Sequence, residues 1–254
     1  MNILEGLPWD FSPWQIMVLV LCGISIGLSK TGFSGVTTVI IPFMTFIFGT
    51  KESTGVMLPM LCFADLLAVI CYRRSASWKH IFKLLPWALG GFAIALVVDH
   101  FITTGRGFKI LIGSCLLAGL VAMVWNEKRS KDAAIPTAWW FSAAFGALGG
   151  FTTMISNAAG PVMSVYLLAM RLPKTVFVGT GAWFFLIVNY LKLPIQHFVW
   201  HNITRETLIL NAMMVPIILA GALIGVVLVK RISETHFRAM ILILATISTF
   251  LLFL

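Results

Sequence analysis

The chain has 254 residues, of which 59% are hydrophobic and only 11% charged. Soluble domains carry about 25% charged residues, so a water-soluble globular protein is excluded and a polytopic membrane protein is expected. The formal net charge of +9 does not point to nucleic acid, because no basic segment interleaved with aromatics is present; in a membrane protein, basic loops set topology.

At the N-terminus, residues 1–14 contain Glu5 and Asp10 but no lysine or arginine. They lack the basic region of a secretory signal, so the first apolar run is expected to be retained. Apolar runs bounded by charges, Gly or Pro predict helical pieces over 14–30, 35–49, 53–72, 81–101 and 106–125. The polar stretch Asn126 to Pro136 reads as a cytoplasmic linker, placed at 126–137. Further pieces follow at 138–149, 160–170, 175–192, 205–229 and 234–254. At 1.5 Å per residue the pieces 138–149 and 160–170 reach only about 16–18 Å, short of a hydrocarbon core of roughly 30 Å. The segments 14–49 and 138–170 are therefore expected to be broken, re-entrant hairpins.

Two polar breaks define those hairpins. One runs from Gly27 to Gly35 (GLSKTGFSG) and the other from Gly149 to Pro161 (GGFTTMISNAAGP). Unwound backbone and a lysine are expensive at membrane depth and are kept where they line a cavity or polar path.

Loop charges orient the chain. With both hairpins returning to their starting side, one side receives Arg73, Arg74, Lys79, Lys83, Lys128, Arg129, Lys131, Arg171, Lys174, Lys230, Arg231 and Arg238. The other receives Lys51, Arg106, Lys109, Lys192 and Arg205, with both termini. The positive-inside pattern makes the first side cytoplasmic and both termini periplasmic or extracellular. A single crossing at each break would divide the charges almost evenly.

The same parity makes the halves inverted. Gly27 and Pro42 align with Gly146 and Pro161 at one offset, Gly55 and Asp65 with Gly179 and Asn189 at a slightly larger one, and Gly91 and Ile94 with Gly221 and Ile224. The expected fold is thus all-α, with an N-terminal repeat over 1–125 and a C-terminal repeat over 138–254. Each comprises a broken hairpin and three transmembrane helices, a recurring design of secondary transporters.

Helix N-termini facing the membrane interior offer unpaired N–H groups and a positive dipole end, which suit an anion. The helices beginning near Gly35 and near Gly160-Pro161 qualify. Candidate binding residues are Lys30, Thr31, Gly32, Ser34 and Gly35 at the first break, and Thr153, Ser156, Asn157, Ala158 and Gly160 at the second. Thr152 and Ser29 add further hydroxyls. Lys30 supplies a formal charge, and neither break contains a carboxylate. The alternative for Lys30 is to snorkel to an interface or cap a helix end.

Asp65, deep in span 53–72 and matched by Asn189, is a candidate coupling residue, with protons as the coupling ion, or a partner of Lys30. A structural hydrogen bond is the other reading. Cys22, Cys62, Cys71 and Cys115 read as small buried hydrophobes, without metal-ligand spacing. The pairs Gly23/Gly27 and Gly221/Gly225 read as helix-packing positions. No cofactor or metal is expected.

Three motifs mislead. Gly27 to Thr31 echoes a phosphate loop without the glycine before the lysine. Asn202-Ile203-Thr204 is a chance sequon. Gly32-Phe33-Ser34-Gly35 matches the short serine motif of intramembrane proteases, but no histidine base falls convincingly within a span.

At these positions the chain resembles the TauE/SafE sulfite-exporter family, the TSUP (4-toluene sulfonate uptake) transporters. The resemblance rests on Gly27 to Gly35 followed by Pro42, on Asn157-Ala158-Ala159-Gly160-Pro161, on Tyr166-Leu167-Leu168, and on Gly179-Thr180-Gly181-Ala182-Trp183-Phe184-Phe185 with Asn189 to Pro194. It implies a carrier in the bacterial inner membrane for a small sulfur-containing anion: sulfite, sulfoacetate or a related organosulfonate. Many relatives carry a Gly-x-Gly-Gly tip, replaced here by Lys30-Thr31-Gly32 and Ser156-Asn157-Ala158. The alternatives are transport of a carboxylate, an anion channel, or an intramembrane serine protease.

Overall fold

The computed structural model describes Trp9, residues 11–101 and residues 138–251. The expected span 106–125, the linker 126–137 and Cys115 lie outside the described residues, as do the side chains of Asp99 and His100. Among the described residues regular structure is entirely helical. The helices are α1 (Pro13–Thr31), α2 (Val36–Phe48), α3 (Thr50–Tyr72), α4 (Trp78–Phe101), α5 (Trp139–Ser156), α6 (Ala159–Ala169), α7 (Lys174–Phe198), α8 (Arg205–Arg231) and α9 (Glu234–Leu251).

Five of them, α1, α3, α4, α7 and α8, are long and apolar enough to cross a membrane. Their outward faces carry large apolar side chains, such as Ile70, Phe82 and Leu223, each at least 60% exposed. Such a band excludes an aqueous surface and fits lipid. With the composition, this makes the chain a multi-pass membrane protein.

The breaks are much narrower than expected. α5 continues through the glycines and threonines to Ser156, leaving Asn157 and Ala158 outside helix, and α1 continues through Ser29 and Lys30 to Thr31. At 18 residues, α5 is about 27 Å long, not a half-helix ending at residue 149. Hydroxyls explain this: Thr152 donates to Leu148 O at 2.7 Å, and Ser156 to Thr152 O at 3.2 Å. Each hydroxyl is satisfied on the preceding turn, so it can sit in a helix in apolar surroundings without another partner.

The limbs of each broken segment run antiparallel. Trp14 of α1 meets Phe46 of α2 with ring centroids 5.8 Å apart, and Phe141 of α5 stacks on Tyr166 of α6 at 5.8 Å. The main helix pairs are α1 with α8, α4 with α5, and α3 with α7. At the first two, backbones nearly touch: a Cβ on Gly27 would lie 2.1 Å from Ile218 O, and one on Gly150 2.0 Å from Ala88 O. Small residues permit such close packing in lipid, where association rests on van der Waals contact.

Thr31 belongs to the α1–α8 crossing. Its hydroxyl lies 2.9 Å from both Gly27 O and Ala222 O, and its one proton donates to either. Thr31→Val is expected to cost about 0.5–1.5 kcal/mol. Thermal melts in detergent check this, with anion-dependent stabilisation expected to persist.

Candidate functional site

Lys30 is the last but one residue of α1, and its side chain neither snorkels nor caps. Its ammonium lies 2.9 Å from Asp65 Oδ1, with the two side chains 9% and 0% exposed. It also sits over the Phe185 ring, 4.0 Å from the centroid. Asn189 Nδ2 donates to Asp65 Oδ2 at 2.6 Å. The two residues aligned between the halves, Asp65 and Asn189, thus bond to each other across the α3–α7 contact. A buried carboxylate is tolerable because both oxygens are partnered.

A second lysine was missed by ending the eighth expected piece at residue 192. α7 continues to Phe198, and Lys192 is completely buried. Its ammonium donates to Thr153 O and to Asn157 Oδ1, each at 2.5 Å, and to Thr153 Oγ1 at 3.3 Å. All three protons are therefore spent on neutral acceptors at the end of α5. A signal was present: Phe185, Asn189, Lys192 and Gln196 recur at helical spacing and lie on one face.

Asn157 is shaped to receive Lys192. It adopts the left-handed conformation, φ 57°, which asparagine accepts more readily than most residues. That turn ends α5, with the Asn157 N–H bonded to Thr153 O at 3.0 Å. Its Nδ2 donates to Thr54 O at 3.1 Å, tying the tip to α3. Thr54 Oγ1 in turn lies 3.3 Å from Gln196, and Asn202 Nδ2 donates to Thr54 Oγ1 at 3.2 Å.

Between the two tips is a small pocket. Ser29, Lys30, Ser34 and Gly35 line it from the first break, Thr37 and Thr38 from the opening turn of α2, and Thr153, Asn157 and Gly160 from the second break. Leu61, Phe185 and Asn189 complete the wall. The tips touch: a Cβ on Gly160 would lie 3.0 Å from Gly35 N. Gly35 itself has φ 107°, a conformation that glycine adopts without steric cost. Its carbonyl accepts from Ser248 at 3.1 Å.

The geometry thus gathers Lys30, Ser34, Gly35, Thr153, Asn157, Gly160 and Asn189 around one space, with Asp65 behind Lys30. It does not bring Thr31, Gly32, Ser156 or Ala158 to the pocket wall. Thr31 and Gly32 face α8, with Gly225 O 3.2 Å from the Cβ position of Gly32. Ser156 bonds back to its own helix, and Ala158 is buried. Thr37 and Thr38 are lining residues that reading 35–49 as a plain apolar run concealed.

Electrostatically, two ammonium groups face one carboxylate. Lys30 is paired with Asp65, whereas Lys192 has only neutral partners among the described residues, so with both lysines protonated and Asp65 ionised this cluster carries one net positive charge. Thr37 Oγ1 and Asn189 Oδ1 are buried with no hydrogen-bond partner among the described residues. A donor hydroxyl left unpaired at a pocket wall is costly unless a ligand or water takes it up.

Other groups carry less. Cys22 and Cys62 are buried as expected, whereas Cys71 lies on an exposed face. His80 bonds Tyr166 at 3.0 Å and His197 bonds Ile203 O at 3.1 Å, so neither serves Ser34. Among the described residues no cluster of three His, Cys, Asp or Glu is placed to hold a metal.

The family model described as sulfite exporter TauE/SafE matches residues 19–252. No curated protein and no solved structure matches the chain. The chain belongs to the TauE/SafE family, which is a family of membrane transporters and not of enzymes.

Proposed function

We propose that this TauE/SafE member carries a small sulfur-containing anion, such as sulfite, sulfoacetate or a related organosulfonate, across the bacterial inner membrane by alternating access. The anion binds between the two broken tips. The observation that carries this reading is a pair of lysines, Lys192 fully buried and Lys30 nearly so, against a single carboxylate among the described residues. A net positive, hydroxyl-lined pocket in a low-dielectric interior attracts an oxyanion far more strongly than the same groups would in water.

The inverted-repeat, re-entrant architecture is part of the proposal. Gly27 and Gly146, aligned in sequence, sit at the α1–α8 and α4–α5 crossings, and Gly221 and Gly91 occupy the opposing faces of those same crossings. Gly55 meets Asn202 O in the loop after α7, while Gly179 meets Tyr72 O and Ser75 after α3. An approximate two-fold relation through the Asp65–Asn189 contact accounts for all three correspondences. Such a relation suits a carrier whose halves rock about a central site. Pro42 and Pro161 fit it less well, since Pro161 opens α6 and Pro42 lies within α2.

Sidedness follows from charge. Arg73 and Arg74 share an end with Arg171, Lys174, Lys230, Arg231 and Arg238; Lys174 N bonds Glu234 and Arg238 bonds Leu168 O. Lys51 and Arg205 lie at the other end, and Lys192 leaves that list because it is buried. The more basic end is assigned to the cytoplasm and the termini to the periplasm.

The test is thermal stabilisation of the purified protein by sulfite, sulfate, thiosulfate, sulfoacetate and small carboxylates, since a ligand bound to the folded state raises apparent stability. The expected result is stabilisation by at least one sulfur anion beyond that by carboxylates. Lys30→Ala and Asn157→Ala are each expected to weaken it about tenfold or more and to slow uptake into proteoliposomes. Transport of a confirmed substrate at the parental rate by both variants would falsify the site.

A further inference from the structure

We infer that the pocket is matched to a single negative charge, so that a doubly charged anion enters only when Asp65 is protonated. This deepens the proposed anion site and rests on it.

Among the described residues, the charges around the pocket can be enumerated. Asp65 of α3 meets Lys30 of α1 at 2.9 Å and Asn189 of α7 at 2.6 Å. Lys192 is on the same α7 face, bonded to Asn157. Cys62 lies one turn before Asp65 on α3, and Tyr190 is exposed on α7. α2, α5 and α6 contain no Asp, Glu, Lys, Arg or His. The charged residues of α8 (Arg205, Glu206, Lys230 and Arg231) are at its ends. With both lysines protonated, the cluster formed by the described residues is therefore +1 with Asp65 ionised and +2 with Asp65 neutral.

Lys30 is the hinge of the arrangement. Its ammonium lines the pocket yet also neutralises Asp65, which is fully buried behind it. Beyond that ion pair it has two further protons, which a bound anion can accept without breaking the pair. A monoanion then brings the cluster to zero. A dianion brings it to −1, in a site where an uncompensated charge is expensive. One proton on Asp65 restores neutrality: the O–H forms at a carboxylate oxygen, and Lys30 turns fully to the anion. Coupling here is a matter of charge parity, with a proton accompanying dianions and none accompanying monoanions.

The experiment uses methanesulfonate and sulfate, which remain fully ionised through the working pH range, so that any pH dependence belongs to the protein. Binding is followed by thermal stabilisation, and proton uptake by calorimetry in buffers of different ionisation enthalpy. In the parent, sulfate binding is expected to gain about tenfold per pH unit on acidification and to take up one proton, while methanesulfonate binding does neither. Asp65→Asn fixes the cluster at +2, so it is expected to bind sulfate at least tenfold tighter than the parent, with no pH dependence. If Asp65→Asn does not fold, the double variant Lys30→Gln/Asp65→Asn decides: it holds +1, so the parental preference for the monoanion is expected to persist without proton uptake. Unchanged sulfate affinity and pH dependence in Asp65→Asn, or a swing to sulfate in the double variant, overturns the inference alone. If the parent binds neither anion nor any of the sulfur anions above, the anion site itself is overturned.

Discussion

Replacing Lys192 with methionine is expected to lower anion affinity more than a hundredfold while leaving the anion-free protein folded. Lys192 is the ammonium with no carboxylate partner among the described residues, and when protonated its charge makes the cluster net positive. Two unit charges about 5 Å apart at an effective dielectric constant near 20 interact by about 3 kcal/mol, which corresponds to a factor of more than one hundred. Methionine keeps most of the apolar stem, and removing a fully desolvated charge offsets part of the loss of its three hydrogen bonds. The readout separates binding from folding. At ligand concentrations near one hundred times the parental Kd, the stabilisation increment should fall from about 2.7 to about 0.4 kcal/mol. The melting curve without ligand should move much less. Lys51→Met, altering a lysine over the Trp200 ring at the end away from Arg73 and Arg74, is the control expected to keep the increment. A full increment in Lys192→Met would remove Lys192 from the site.

That residue also marks where sequence reasoning stopped short. Lys30 and Asp65 stood out as isolated charges in apolar runs, and the structure pairs them. Lys192 looked like a boundary because a charge followed closely by Pro194 resembles the end of a span. In the fold α7 accommodates Pro194 and runs on to Phe198, so the lysine lies inside the helix. Ending helices at charges presumes water, and here the charge is met instead by Thr153 and Asn157, which no local pattern on α7 reveals.

The non-helical residues are 32–35 and 157–158, a small part of each polar stretch read from the sequence. Gly, Ser and Thr were read as breakers, yet Thr31, Thr152 and Ser156 bond to carbonyls four residues back. In apolar surroundings that local bond satisfies the hydroxyl without ending the helix. Gly150 is kept for contact across the α4–α5 crossing and not for a turn. What ends α5 is the left-handed Asn157 alone, a conformation that requires the tertiary partners Thr54 and Lys192 to be seen. Thr37 and Thr38 were hidden for the opposite reason, as two threonines among β-branched apolar neighbours.

Gly90 and Gly91 are adjacent in α4, and their alanine variants are expected to behave oppositely. A Cβ on Gly91 would lie 2.2 Å from Ala147 O and 2.7 Å from Phe151 N, both backbone atoms of α5. No rotamer relieves contacts with backbone, so the two helices must separate along their whole crossing. Overpacking of this kind costs about 1–3 kcal/mol, and more where backbone must move. A Cβ on Gly90 would meet nothing within 4 Å, and alanine is favoured over glycine in a helix by about 1 kcal/mol. Gly91→Ala is therefore expected to melt well below the parent, and Gly90→Ala at or slightly above it. The consequence reaches the pocket, because α5 carries Thr153 and Asn157 at its far end. A Gly91→Ala protein that still folds should lose anion-dependent stabilisation, since displacing α5 draws both acceptors away from Lys192. Gly221→Ala, whose Cβ would lie 2.2 Å from Ile24 O at the other crossing, is expected to destabilise similarly and to move α1 with Lys30. Equal melting of Gly90→Ala and Gly91→Ala would mean that the α4–α5 crossing is looser than its backbone contacts require.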